Sequence, residues 1–199
     1  MPNQSLISVH AVSNLLIGRN PVQNIVFDQK IMPNQSLISV HAIFRHGERT
    51  PDRAAHYPND PYINHKYEPY GYGQLTNEGK KTMYELGNLL RNTYDNYLGN
   101  RYKPENVEAL STNVDRTKAS LQLVLAGLFP PKDCDIWNDQ LDWQPIPFNV
   151  DNKFLERITN HPEFLPTYNR YYETEKGQKI LKEHREFLAY IKNANFWPI

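Results

Sequence analysis

A largely apolar run, Leu37–Phe44, leads without a break into the segment Arg45–Pro51, which reads Arg-His-Gly-Glu-Arg-Thr-Pro. Short apolar runs rich in β-branched residues and bounded by a Gly-containing turn are typical of buried strands. The sequence therefore predicts a strand whose carboxyl end opens into a loop with one histidine and two arginines. Because ligands of open α/β sheets bind at the carboxyl ends of the strands, this loop is the first candidate for a functional site.

His46 is flanked by two guanidinium groups, those of Arg45 and Arg49. Nearby positive charge disfavours both an imidazolium and a bound metal cation, so we expect a neutral imidazole, which is a nucleophile. The planar forks of the arginines match phosphate oxygens in bidentate fashion. The chemistry predicted for this loop is transfer of a phosphoryl group to His46, and the simpler alternative is a solvated basic loop.

The same segment resembles the Arg-His-Gly-x-Arg-x-Pro hallmark of the histidine acid phosphatases, a branch of the histidine phosphatase superfamily. The resemblance implies that His46 forms a phosphohistidine and that Arg45 and Arg49 bind the phosphate of a small phosphomonoester. It also implies a phosphoglycerate mutase-like core. Phosphohistidine chemistry needs no cofactor. The connector Trp143–Pro147 resembles the prostatic and lysosomal type of these enzymes.

A second segment, Leu110–Thr117, resembles the family's Ser-Thr-Asp-x-x-Arg pattern, with Asn113 where the family usually has aspartate. By this resemblance, Arg116 completes the phosphate site from another strand end. Three guanidiniums would neutralise a phosphate dianion and the charge that spreads over its oxygens in the transition state. Without the first motif, Arg116 is interpreted equally well as a surface residue of a helix.

Two helices are predicted around the second motif. The first has Thr76 as its N-cap, carries one apolar face and ends at Gly99. The second begins near residues 113–115 and ends before Pro130-Pro131. With residues 107–110 as a strand, the order strand, helix, strand, helix predicts an α/β fold with a mostly parallel sheet and flanking helices. The apolar face of the first helix consists of Met83, Leu86, Leu90, Tyr94 and Tyr97.

The chain divides into three predicted parts. Residues 1–31 are an irregular appendage, residues 32–150 the α/β core, and residues 151–199 a partial helical cap. By resemblance to the family, the last part corresponds to the small helical insertion over the sheet. His184 lies on the apolar face of the last helical pattern and is predicted to be partly buried and structural.

The appendage contains an exact duplication. The block Met1–Ala11 recurs unchanged as Met32–Ala42, and it is too short to be a structural repeat. Both blocks encode the same strand. We expect the second block to occupy the sheet, because only it continues into Ile43 and Phe44, and the first block to lie outside it.

The family also carries a His-Asp pair, well beyond this length, whose aspartate protonates the leaving oxygen. None of the seven histidines here is followed by aspartate, so this chain is expected to represent the amino-terminal portion of the family fold without the general acid. Losing a general acid typically costs about 10²- to 10⁴-fold in rate, so we expect weak turnover. An incomplete sheet would also leave an unpaired edge that favours self-association.

Charge and composition exclude several partners and cofactors. The 22 basic and 22 acidic side chains cancel, which argues against nucleic acid or an anionic membrane as a partner. No segment is long and apolar enough to span a membrane, and no ligand cluster or Gly-rich loop predicts a metal or a nucleotide. The amino terminus is a poor secretory signal, although the family is typically secreted or lysosomal, so the localisation stays open.

Two other functions stay open. A phosphomutase of the same superfamily would use the same histidine but return the phosphoryl group to a sugar or an acid, and analysis of the products separates the two. A non-catalytic phosphate-binding remnant would keep the arginines and lack turnover. The sequence does not name the physiological substrate.

Overall fold

The computed structural model describes residues 6–12, 25–29, 37, 39–53, 60–151, 153 and 160–193 of the 199-residue chain. The chain divides into two compact units. The first covers Met1–Pro51 and Tyr67–Asn152, and the second covers Asp52–Lys66 and Lys153–Ile199. The segment 52–66 thus belongs with the carboxyl-terminal helices, whereas the sequence analysis kept it with the core.

The described part of the first unit is organised around a five-stranded sheet. The strands lie in the order β2-β3-β1-β4-β5; four are parallel, and β2 runs antiparallel to β3 at one edge. The predicted α/β class with a mostly parallel sheet is confirmed. The strands are β1 (Leu6–Val12), β2 (Ile25–Gln29), β3 (Ser39–Arg45), β4 (Val107–Ser111) and β5 (Asn149–Val150).

Both copies of the duplicated block are strands of this sheet. β1 lies between β3 and β4, and Leu6 pairs with Ser39, two residues beyond its own copy at Leu37. A shift of two residues keeps equivalent side chains on the same face, because side chains alternate along a strand with a period of two. The expectation that the first copy would lie outside the sheet is therefore wrong for β1, and β2 also belongs to the sheet.

Burial explains why the first copy is part of the sheet. Ile7 and Val9 of β1 are 0% exposed, as is Val40 of β3. Removing these side chains from water stabilises the fold by about 25 cal/mol per Å² of apolar surface. The sheet has a position for each copy, so both copies add buried side chains to one core.

Helices α1 (Asn77–Leu98) and α2 (Asp115–Leu128) pack against each other and share a core with one face of the sheet. The predicted apolar face of α1 is confirmed for its four buried members. The fifth, Tyr97, is partly buried: its hydroxyl accepts from Leu6 N–H at 2.8 Å and donates to Leu6 O at 3.1 Å. Tyr97 therefore ties α1 to the start of β1.

Both predicted ends of α1 are confirmed. Thr76 is the N-cap, and its hydroxyl accepts from Gly79 N–H at 3.0 Å. At the other end, Gly99 has φ of +71°, which favours glycine. The buried Arg91 donates to the carbonyl oxygens of Asp95 and Gly99 at 3.1 and 2.7 Å. Asp95 O also accepts from Gly99 N–H at 3.0 Å, so Arg91 adds a second donor there and supplies one to Gly99 O just beyond the helix.

The second unit contains three helices in its described part, α3 (Phe164–Glu173), α4 (Glu175–Glu183) and α5 (Arg185–Asn193). Thr174 caps α4 by accepting from Gly177 N–H at 3.1 Å. The prediction that His184 is partly buried is wrong: it is exposed and ends α4. The chain breaks into two helices there, which interrupts the apolar face. That this unit acts as a cap stays a prediction.

Candidate active site

Two strand ends supply the predicted site residues. β3 ends at Arg45 and is followed directly by His46, while β4 ends at Ser111 and α2 begins with Asp115 and Arg116. Because β1 lies between β3 and β4, these strand ends are roughly 10 Å apart. Helix α2 begins just after β4 and carries Arg116 in its first turn.

The segment Arg45–Pro51, which we name the His46 loop, is held by the chain that leads into α1. Thr50 N–H donates to Gln74 O at 3.0 Å, and Thr76 N–H donates to Glu48 O at 3.1 Å. The Thr76 hydroxyl, besides capping α1, donates to Glu48 Oε1 at 2.8 Å. The loop therefore has a fixed position relative to the amino end of α1.

His46 is buried, with 7% of its surface exposed. Its Nδ1 lies 2.8 Å from Gly47 O. A carbonyl oxygen only accepts, so Nδ1 carries the proton and donates, and Nε2 of the neutral ring keeps its lone pair. Nε2 is buried and has no hydrogen-bond partner among the described residues. A ring with one nitrogen oriented by the backbone and the other available can act as a nucleophile.

Burial lowers the pKa of His46 from 6.5 to about 4. The bond to Gly47 O opposes this shift, and the positive charges of Arg116, Arg45 and Arg49 add to it. From the sequence, a neutral ring was predicted because of the flanking arginines. In the structure the largest cause is the loss of solvent around the ring, which a sequence motif does not reveal.

All three predicted arginines act electrostatically on the His46 ring, so the structure brings the four predicted site residues together. Arg45, Arg49 and Arg116 are each partly buried, and the Nε atom of each is buried. Arg49 Nη1 donates to Thr50 O at 2.8 Å, which orients its guanidinium. Charged donors next to a neutral ring suit an anion that has several oxygen atoms.

Buried hydroxyls shape the start of α2, where Arg116 lies. Thr117 is 0% exposed, and its hydroxyl is within 2.7 Å of Val114 O and 2.8 Å of Thr112 O. Asn113, which stands where the family has aspartate, is exposed and accepts from Lys118 Nζ at 3.3 Å. The turn between β4 and α2 is thus fixed mainly by its own threonines.

Two residues that hold the His46 loop were not predicted from the sequence. Ser120, on α2, accepts from Gly47 N–H at 3.1 Å. Gly79, in the first turn of α1, comes so close to the loop that a Cβ on it would lie 2.1 Å from Glu48 O. The pattern Gly-x-Leu-Thr-x-x-Gly, which ends at Gly79, was a signal for the second residue. No local signal marked Ser120.

A comparison with protein families decides the assignment. The model of the histidine phosphatase superfamily (branch 2) matches residues 36–190, which include both motifs. The chain belongs to this superfamily. Its mostly parallel sheet with flanking helices is consistent with the phosphoglycerate mutase-like α/β fold of the histidine phosphatases.

Curated relatives of this histidine phosphatase are acid phosphatases. It is 49% identical over 125 residues to a venom acid phosphatase of Apis mellifera, covering 62% of this chain and 31% of the relative. It is 40% identical over 154 residues to prostatic acid phosphatase of Bos taurus, covering 75% of this chain and 39% of the relative. Lysosomal acid phosphatase of Rattus norvegicus is 36% identical over 156 residues, which cover 76% of this chain and 36% of the relative. The chain thus spans about a third of the length of the relatives it matches.

The described residues contain neither a membrane-spanning helix nor a cluster of metal ligands. None of the helices there has the length and apolar character needed to cross a membrane. The same residues contain no group of three or more His, Cys, Asp or Glu side chains arranged to hold a metal ion.

Proposed function

We propose that this histidine phosphatase hydrolyses small phosphomonoesters through a phosphohistidine at His46. The observation that carries the proposal is the state of the His46 ring: Nδ1 is tied to Gly47 O and Nε2 is buried without a partner among the described residues. A pKa of about 4 keeps this ring neutral in mildly acidic solution. An ordinary histidine, with a pKa near 6.5, would be mostly protonated there.

The proposed reaction has two steps. In the first, His46 Nε2 attacks phosphorus, the bond to the ester oxygen breaks, and the leaving alkoxide or phenoxide takes a proton from water. In the second, water attacks phosphorus and releases a proton to solvent, the P–N bond breaks, and inorganic phosphate leaves with the neutral ring restored. Arg45, Arg49 and Arg116 would bind the phosphoryl oxygens and stabilise the charge on them in both transition states.

Turnover by these 199 residues should be weak. They contain no His-Asp pair, and a missing general acid lowers the rate by about 10²- to 10⁴-fold. The effect should depend on the leaving group, because phenoxide needs protonation less than an alkoxide does. Phenyl phosphates are therefore the substrates with which the first step should be seen most easily.

Self-association is a second part of the proposal. The edge strands β2 and β5 have no outer neighbour in the described part of the sheet. β5 has two residues, and Val150 on it is 47% exposed. Unpaired edges present free backbone donors and acceptors to another chain, so we propose that the purified chain self-associates. Light scattering over a concentration series tests this.

The decisive experiment uses the 199-residue chain with labelled phenyl phosphate, an alkaline quench that preserves phosphohistidine, and an inorganic phosphate titration. Wild type should give a burst of phenol and one labelled site. His46→Gln should lose the label and keep phosphate affinity within a few-fold, whereas Arg49→Ala should lose affinity at least tenfold. Arg101→Ala is the matched control, because Arg101 lies beyond the carboxyl end of α1, opposite to the end that contacts the His46 loop.

Each alternative has its own outcome. Phosphate binding without burst or label would identify a phosphate-binding remnant and overturn the enzymatic proposal. Transfer of label to an added sugar or acid, in preference to water, would identify a phosphomutase. Retention of the label in His46→Gln would show that another group is the nucleophile.

A further inference from the structure

Ser120 is a buried side chain of α2 that the proposed reaction does not use. It is 0% exposed. Its hydroxyl accepts from Gly47 N–H at 3.1 Å and donates to Arg116 O at 2.7 Å. One hydroxyl therefore bonds both to the backbone of Gly47, which follows the proposed nucleophile, and to the backbone of Arg116, the third arginine.

The connection continues to the reacting ring through Gly47. The N–H of Gly47 is held by Ser120, and its carbonyl oxygen accepts from His46 Nδ1 at 2.8 Å. Both polar groups of this glycine are thus engaged, one by α2 and the other by the imidazole. The orientation of the Gly47 backbone sets the orientation of the ring, and with it the direction of the Nε2 lone pair.

We infer that Ser120 is a positioning residue for phosphoryl transfer, which holds His46 and Arg116 in a fixed relation through its two hydrogen bonds. The inference rests on the proposed function. Ser120 does not touch the substrate, so it acts only through the groups that do. Catalysis by positioning is sensitive to small displacements, and a shift of about 1 Å can lower a rate by about 100-fold.

Loss of the hydroxyl has a predictable local effect. In Ser120→Ala, Gly47 N–H would be buried without an acceptor, which a chain avoids by moving the group towards water or another acceptor. That movement turns the His46–Gly47 peptide plane, which shifts the backbone of both residues and loosens the bond from His46 Nδ1 to Gly47 O. The guanidinium of Arg116 is less affected, because its helix keeps its backbone hydrogen bonds.

A purely structural role for Ser120 would give a different pattern, and Thr117 provides the comparison. Thr117 is also 0% exposed on α2, and its hydroxyl bonds to Thr112 O and Val114 O within the turn before the helix. Thr117→Val removes a buried hydroxyl from the same helix but leaves the bond to Gly47 intact. Ser120→Cys keeps the approximate volume of Ser120 while weakening both of its hydrogen bonds.

The test measures wild type, Ser120→Ala, Ser120→Cys and Thr117→Val, each checked for folding by circular dichroism. The readouts are the single-turnover rate of His46 phosphorylation by phenyl phosphate, the dissociation constant of inorganic phosphate, and the nitrogen NMR shifts of His46, which report its tautomer. We expect both Ser120 variants to phosphorylate about 10- to 100-fold more slowly, with the phosphate dissociation constant changed less than threefold. In both Ser120 variants the nitrogen shifts should show a mixture of rings protonated at Nδ1 and at Nε2. In Thr117→Val they should show the native ring protonated at Nδ1.

Two results would overturn the inference. One is a native tautomer with an unchanged phosphorylation rate in folded Ser120→Ala, and the other is an equally mixed tautomer in Ser120→Ala and Thr117→Val. If wild type forms no phosphohistidine, the proposed function fails but the tautomer comparison still decides the role of Ser120. Failure of the two proposals can therefore be told apart.

Discussion

Gly47 and Gly79 meet backbone to backbone: a Cβ on Gly47 would lie 2.4 Å from the carbonyl oxygen of Gly79. In the other direction, a Cβ on Gly79 would lie 2.1 Å from Glu48 O. Non-bonded atoms do not approach this closely. Glycine at both positions is therefore what lets the first turn of α1 lie directly on the His46 loop.

Gly79→Ala should lower the free energy of unfolding by about 1–3 kcal/mol and weaken phosphate binding, because the start of α1 has to move away from the loop. Gly127→Ala is the matched control. Its Cβ would lie 2.4 Å from Tyr84 O, where α2 packs on α1, so it should lose similar stability and keep its phosphate affinity when folded. Denaturant unfolding and phosphate titration measure the two effects. Equal phosphate affinity in Gly79→Ala and Gly127→Ala would contradict the prediction.

The lowered pKa of His46 predicts that its ring titrates near pH 4. NMR of the histidine rings measures this titration, and the signal missing from His46→Gln assigns it to this residue. Phosphorylation of His46 should persist at pH 5 and decline only as the pH falls through about 4, because the reacting form is the neutral ring. A ring that titrates near 6.5 would rule out this description of the site.

The same pKa predicts how stability depends on pH. In the unfolded chain His46 takes up its proton near pH 6.5, whereas in the folded chain it does so only near 4. The unfolded state therefore binds more protons between these values. Wild type should lose stability relative to His46→Gln as the pH falls from 6.5 to 4, and the difference should be constant above 7. Urea unfolding of both proteins at several pH values measures it.

Val9 and Val40 are equivalent residues of the two identical blocks, and both are 0% exposed. Val9→Ala and Val40→Ala should therefore each lower the free energy of unfolding, by about 2 kcal/mol, since each removes two buried methyl groups and leaves a small cavity. Denaturant unfolding of the two variants is the measurement. A Val9→Ala protein as stable as wild type would show that the first block is dispensable.

Thr76 joins the cap of α1 to the His46 loop through Glu48. Thr76→Ala should cost about 1 kcal/mol of stability, as is usual for loss of an N-cap hydroxyl. Thr76→Ser keeps the hydroxyl and should restore most of it. Thermal unfolding compares the three proteins, and equal losses in both variants would indicate that the Thr76 methyl group matters more than its hydroxyl.

Local patterns in the sequence predicted the features that depend on neighbouring residues. Thr76 and Gly99 were recognised because caps have local chemical signatures, and the α/β class followed from the order of strands and helices. The association of Arg116 with His46 came from a family resemblance, since the two residues are distant in the chain. Their roles in catalysis stay predictions.

Contacts between distant segments could not be predicted in this way. The bond from Gly47 to Ser120 joins the His46 loop to α2, and nothing near Ser120 in the sequence distinguishes it from other helix serines. The position of β1 was misjudged for a related reason. Identical blocks have identical propensities, so the sequence alone does not say that the sheet has room for both.

The side-by-side arrangement of β1 and β3 has a consequence for how the chain folds. The two blocks have the same local preference for the position next to β4, which β1 occupies, and they differ only in the residues that follow them. We expect a refolding chain to partition between two topological isomers, which interconvert only by unfolding because the strands cannot pass through each other. In the exchanged isomer, the segment with His46 would emerge next to β4, one strand nearer to Arg116. If the chain partitions in this way, phosphate binding should recover in two kinetic phases during refolding. A change in the sequence of either block should reduce these to one phase.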